Sequence, residues 1–204
     1  SMSVFNAYAP IIHLGALETI AHELHLDLLS VAAEPYAVAR AIEVEDMIDF
    51  SAIFIDVGGG TTDIAVINEG GVQGTKMFGI GGRAYTKSVE KSLGVSFPDA
   101  EELKLGLTTD EIPDKKRKSV EDALKRTLEV WTSGVELALG EFDQLDHLPY
   151  RLLLCGGGSS LDMLMRQLAS TNWYTDLPFT RKPVVQHIQP HQVVGIVDKT
   201  ATVT

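Results

Sequence analysis

Cysteine is nearly absent. With Cys155 as the one thiol among 204 residues, no intrachain disulfide can form, and a reducing compartment is expected. No apolar run reaches the ~20 residues of a membrane span, and no signal peptide is visible. The Ser1-Met2 start reads as a scar ahead of an internal start, so the missing signal says little about a longer parent protein. Positive charge is scarce: 17 Lys and Arg face 28 Asp and Glu, a net charge of −11. Such a chain repels a polyanion overall, which argues against nucleic acid as a partner. The one basic run, Lys115 to Lys118, lies beside Asp110, Glu111 and Asp114 and reads as a solvated helix face. His22/His25 and His187/His191 have helix-compatible spacings. Neither pair has a neighbouring carboxylate–cysteine set, so they read as solvated histidines rather than metal ligands. Tandem repeats and low-complexity tracts are also missing.

What is present centres on residues 53–67. An apolar run from Ile53 to Val57 is interrupted only by Asp56; Gly58, Gly59, Gly60, Thr61 and Thr62 follow, and a second apolar run ends at Ile67. Runs of this length bounded by turn residues read as strands. Three glycines let the backbone turn tightly and bring its N–H groups close to a ligand. An acid in a buried strand is costly unless it is paired or faces an ion. Two readings stay open: a polyphosphate cradle whose Asp56 holds Mg²⁺ through water, or a hairpin whose Asp56 is satisfied by nearby backbone. A Walker A loop is excluded, because no Gly-Lys-Ser/Thr follows. A Rossmann turn is disfavoured, because a strand rather than a helix comes next.

Elsewhere the pattern predicts extended chain at 4–12, a helix at 13–26 and a short strand at 28–32. Glu34 then stands just before Pro35, at the start of another helix. Residues 51–78 read as a three-strand meander turning at Asn68 to Gly71. After Gly79-Ile80-Gly81-Gly82 a helix carries Tyr85, Val89 and Leu93 and stops at Gly94. A capped short helix follows at 96–106, and a long one at 114–142 carries Trp131 along its core stripe. A strand at 152–155 leads into Gly156-Gly157-Gly158-Ser159-Ser160 and a helix at 161–168; a short strand at 184–185 and a last helix at 192–196 complete the chain. The helices opening after Gly82 and Ser160 are expected to aim N–H groups at an anion. Alternating strands and helices give an α/β layered fold.

Four pieces occur in order: Glu34 before Pro35, the Asp56 glycine turn, Gly81-Gly82 before a helix, and Gly156-Gly157-Gly158-Ser159 before another. This ordered set resembles the C-terminal half of the actin-like ATPases, the superfamily of actin, heat-shock protein 70 chaperones and sugar kinases. Within it the chain looks most like the bacterial cell-division FtsA family, through residues 56–67 and 100–104; the PilM family of pilus assembly is second, through residues 37–41. The resemblance implies a ribonuclease-H-like mixed sheet flanked by helices, with a smaller helical subdomain. Residues 1–80 and 150–204 would form the α/β core and 81–149 the helical part, the whole being the second lobe of an actin-like fold.

The resemblance also implies roles. Asp56 would orient Mg²⁺-bound water and Glu34 the attacking water. Gly58, Gly59, Gly60, Thr61 and Thr62 would hold the β- and γ-phosphates of ATP, and Gly81 and Gly82 would line the same cleft. Glu101 and Lys104 would reach the ribose or base, while Gly156, Gly157, Gly158 and Ser159 would let the nucleotide lie against the backbone. Plainer readings stay open beside these: Glu34 as an acid at a helix start, and Glu101–Lys104 as a surface pair. The family's first phosphate motif has no counterpart before Glu34, so half of the clamp is expected to lie outside this chain and hydrolysis by it alone to be negligible. The implied function is a Mg-ATP-binding, filament-forming division scaffold at the inner face of the membrane, with self-association or division or pilus protein partners, and membrane contact only indirect or through segments outside this chain. The alternative is an ATP-holding adaptor that captures a membrane partner's peptide.

Overall fold

The structure is a computed structural model that describes residues 6, 8–32, 34–42, 50–170, 172–188 and 192–193. Its centre is β1 (Ala52–Val57), which pairs antiparallel with β2 (Thr62–Asn68) and parallel with β4 (Arg151–Cys155). Strand β3 (Gly71–Phe78) closes one side and β5 (Val184–His187) the other, giving the order β3-β2-β1-β4-β5. The turns follow from local chemistry: Glu69 and Gly70 both take positive φ between β2 and β3, as a tight hairpin requires.

Side chains alternate across a strand with period two, and this sorts the core. Ile53, Ile55 and Val57 join Ile64, Val66, Leu152 and Leu154 on one face. There they pack beneath α3 (Gly82–Leu93), α5 (Asp114–Gly140) and α6 (Asp162–Ser170), with α4 (Phe97–Thr109) stacked on α3. Ala52, Phe54, Ala65, Ile67 and Leu153 point the other way, toward α2 (Glu34–Ala41), whose Ala39 is buried among them. The expected mixed sheet with helices on its faces is what forms.

Several local expectations are revised. Ile11 and Ile12 are helical rather than extended, because α1 (Ile11–Glu23) begins directly after Pro10. None of the α1 residues is buried. Residues 28–32 form no strand. A strand needs a partner for its backbone groups, and among the described residues 28–32 pair with none of the five strands. Helix α4 runs three residues past its expected end at Gly106, to Thr109. Of the last helix, 194–196 lie outside the described residues, and Val193 bridges Ile42 instead. Among the described residues no helix is long and apolar enough to cross a membrane.

One polar chain crosses the larger core. The Trp131 indole N–H donates to Thr62 Oγ1 at 2.9 Å, and that hydroxyl donates to the Ile80 carbonyl at 2.7 Å. It ties α5, β2 and the turn before α3 together through two fully buried side chains. Thr62→Val keeps the shape but leaves the indole N–H and the carbonyl unpaired. A loss of about 3 kcal/mol in unfolding free energy is expected, measured by urea denaturation; an unchanged midpoint would show that the chain contributes nothing.

Candidate nucleotide cleft and acid pair

Because Asp56 shares the parity of Ala52 and Phe54, it lies on the α2 face of the sheet. The same rule brings Asp63, its partner in register on β2, and Cys155, its partner on β4, to that face. Glu34 opens α2 above them. The Asp56 carboxylate, then burial, a hydrogen bond to Asp56 and the Asp63 charge push the Glu34 carboxyl above its ordinary value. Two carboxyl groups this close cannot both be charged without cost. The Cys155 thiol, held by burial and then by Asp56, is pushed up to about 12 and is inert as a thiolate. Among the described residues, no three His, Cys, Asp or Glu side chains gather as a metal-ligand set.

On the opposite side of the glycine turn lies a cleft of about 390 Å³, lined by Gly58, Gly59, Gly82, Glu101, Lys104, Gly157 and Gly158 among others, within the size range of small-ligand sites. Between its walls Lys104 donates to both Glu101 oxygens at 2.9 and 2.8 Å, to Thr86 Oγ1 at 3.1 Å and to the Gly82 carbonyl at 3.3 Å. The Thr86 hydroxyl donates to Glu101 in turn. With only 11% of the Lys104 side chain exposed, the pair is a wall of the cleft rather than a loose surface bridge. Burial raises the Glu101 carboxyl, but the bonds from Lys104 and Thr86 and the ammonium charge outweigh it and hold the group below its ordinary value.

The expected site residues therefore separate into three sets. Gly58, Gly59, Gly82, Glu101, Lys104, Gly157 and Gly158 line the cleft; Glu34 and Asp56 form the acid pair. The rest shape the turn itself. Gly81 packs so closely that a Cβ would stand 2.5 Å from the Gly58 carbonyl oxygen, and at Gly156, with φ +82°, 2.1 Å from Asp56 Oδ1. Gly60 lies under the Arg83 guanidinium, and Thr61 Oγ1 donates to Asp63 at 3.1 Å.

At four points the geometry differs from the expectation. Thr62 cannot hold phosphate through its side chain, because its hydroxyl is buried and committed to Trp131 and Ile80. Ser159 is likewise turned inward, 4% exposed, with Oγ on Gly156 and His187, while Ser160 is the serine that lines the cleft. That contact also removes His187 from the solvated histidines. The start of α3 is not open to an anion either: the N–H groups of Gly82 and Arg83 donate to the Gly58 and Gly59 carbonyls at 2.9 and 2.8 Å. Those bonds fasten the glycine turn instead. The N–H groups of Gly59 and Gly60 take part in no hydrogen bond among the described residues.

Arg83, Phe97 and Leu105 line the cleft and escaped the sequence reading. Arg83 carried a signal: a cation in the first turn of a helix opposes the dipole, which makes sense beside a bound anion. Tyr85 also lines the cleft, 1% exposed, with a hydroxyl that has no partner among the described residues. Burial pushes that phenol far above its ordinary value, so it stays protonated.

A family profile described as "Cell division protein FtsA" matches residues 53–198. The cell division protein FtsA of Agrobacterium fabrum is 37% identical over 92 residues, 45% of this chain and 21% of that protein; the matched stretch is thus about a fifth of the relative's length. Among solved structures, the PilM-PilN type IV pilus biogenesis complex superposes with TM-score 0.62 at 21% identity, covering 89% of this chain and 48% of that one. MreB 5 of Spiroplasma citri bound to AMPPNP gives TM-score 0.56 at 15% identity, covering 88% of this chain and 60% of that one. These likenesses establish an actin-like ATPase fold.

Two outcomes test the cleft. A depressed Glu101 contributes stability that is present above the ordinary value of 4.5 and lost as pH falls through its lower folded value. Lys104→Met is expected to flatten that acid-side slope in urea midpoints taken at descending pH; an unchanged slope would remove the pair from the linkage. Tyr85→Phe deletes a buried unpaired hydroxyl and is expected to raise stability by about 1 kcal/mol, seen as a higher melting temperature. A lower one would mean the hydroxyl has a partner.

Proposed function

Since the chain belongs to the cell division protein FtsA family, we propose that it is the Mg-ATP-binding lobe of an FtsA-like, filament-forming division scaffold. The observation that supports it best is the fastened glycine turn between β1 and β2. Its Gly59 and Gly60 N–H groups make no hydrogen bond among the described residues, Arg83 stands over Gly60, and a cleft leads away from Gly58 and Gly59. Backbone donors plus one cation suit an anionic phosphate chain.

The residues fit ATP and Mg²⁺ in kind. Gly59, Gly60, Thr61 through its backbone, and Arg83 would hold phosphates; Gly157, Gly158, Phe97 and Leu105 would flank the nucleoside; Glu101 and Lys104 would meet ribose or base. Asp56 would hold Mg²⁺ through water, since that ion gives up its waters reluctantly. Glu34 would orient water beside the phosphates, and a nearby cation would relieve its repulsion from Asp56. When bound, Mg²⁺ would neutralise phosphate charge. We also take α3, α4 and α5 as the smaller helical subdomain, with α3 and α5 packed on the sheet of the α/β core. The adaptor reading shares this cleft and differs in the partner: ATP-dependent polymers favour the scaffold, and capture of a membrane protein's peptide by a monomer favours the adaptor.

Calorimetric titration of ATP with and without Mg²⁺ tests the site. Asp56→Asn is expected to weaken Mg-ATP binding roughly tenfold or more and to leave Mg-free binding nearly unchanged. Equal Mg-ATP affinity in the two proteins would remove Asp56 from the site.

A further inference from the structure

The Ser159 hydroxyl has one hydrogen and two close neighbours. Its Oγ lies 2.6 Å from the Gly156 carbonyl oxygen and 2.7 Å from His187 Nε2. Two oxygens at that separation need a hydrogen between them, and a carbonyl has none to offer. The Ser159 proton therefore points at Gly156, and Oγ is left as an acceptor toward His187. It follows that His187 Nε2 carries a hydrogen.

From this we infer that His187 is a positioning residue for the cleft, resting on the nucleotide reading above. Its Nε2–H anchors Ser159 and, through Ser159, the turn from Gly156 to Ser160. The turn needs an anchor because its glycines restrict the backbone little, yet it must sit close against β1. At Gly156 and Gly158 there is no room for a side chain: a Cβ would lie 2.1 Å from Asp56 Oδ1 and 2.7 Å from Val57 Cγ1 respectively. Gly157 and Gly158 form part of the cleft wall. On the other side, His187 is held by register, opposite Leu154 on β4, and the Ile188 N–H donates to the Leu154 carbonyl at 2.8 Å. Edge strand β5 is thereby connected to the ligand-facing backbone by two hydrogen bonds.

Nitrogen-15 NMR of the histidine-labelled protein without nucleotide is expected to find His187 with hydrogen on Nε2; a neutral Nδ1–H ring would overturn the proposal. Titration with Mg-ATP supplies the second readout. His187→Leu is expected to weaken binding about fivefold, whereas His187→Gln, which keeps a donor at similar reach, recovers most of the loss. Ser159→Ala is expected to cost as much as His187→Leu, and the double variant no more than either. Unchanged affinity in both single variants, or His187→Gln as weak as His187→Leu, overturns it. Failure of the unaltered protein to bind Mg-ATP would sink the nucleotide reading, and the ring tautomer would still decide the anchor.

Discussion

Strand β1 is paired along both edges and buried on both faces, so none of its side chains can be reoriented without disturbing a core. Ile53, Ile55 and Val57 are committed to the helical layer, and Ala52 and Phe54 to the α2 side. That double commitment sets the register, and the register alone puts Asp56 on the face where Glu34 waits. The glycine turn leaves β1 at this same end. Both parts of the candidate site depend on it.

The turn separates two environments of different character. On the α2 side, carboxyl groups crowd together and Glu34 is held protonated more readily than usual, a tension that a cation would release. On the α3 side, Lys104 and Glu101 cancel each other in a mostly buried pair, leaving Arg83 and the glycine N–H groups, unbonded among the described residues, as the attractive features for an anion. A polyanion with its cation can satisfy both sides at once. The turn stays in place between them because its carbonyls accept from the start of α3, Gly81 packs against Gly58 and Gly59, and Gly156 packs against Asp56 and Val57 at the end of β1.

Where sequence reading and structure part, the cause is burial. The pattern at 13–26 marks a helix correctly, and α1 forms, but periodicity carries no information about what covers its apolar side chains; none is buried here. Residues 28–32 have strand-like composition, yet a strand exists only with a partner, and among the described residues they pair with no strand of the sheet. Thr62 and Ser159 have the right residue type in the right motif for a phosphate site. Their hydroxyls turned inward because Trp131 and His187, 69 and 28 residues away, stand within hydrogen-bond reach.

Local sequence was sufficient for the three-strand meander, the long α5 helix, the α/β class and the glycine-rich turns, since each depends on neighbours a few residues apart: turn residues, capping groups and alternating polarity. The same locality made Asp56 and Glu34 conspicuous as isolated acids. Tertiary structure alone decided that those acids meet, that Arg83 lies over Gly60, that Lys104 is a buried wall, and that a histidine on the edge strand anchors a serine beside the cleft. These contacts depend on how separate elements pack: α2 against β1, α3 against the glycine turn and α4, and β5 beside β4.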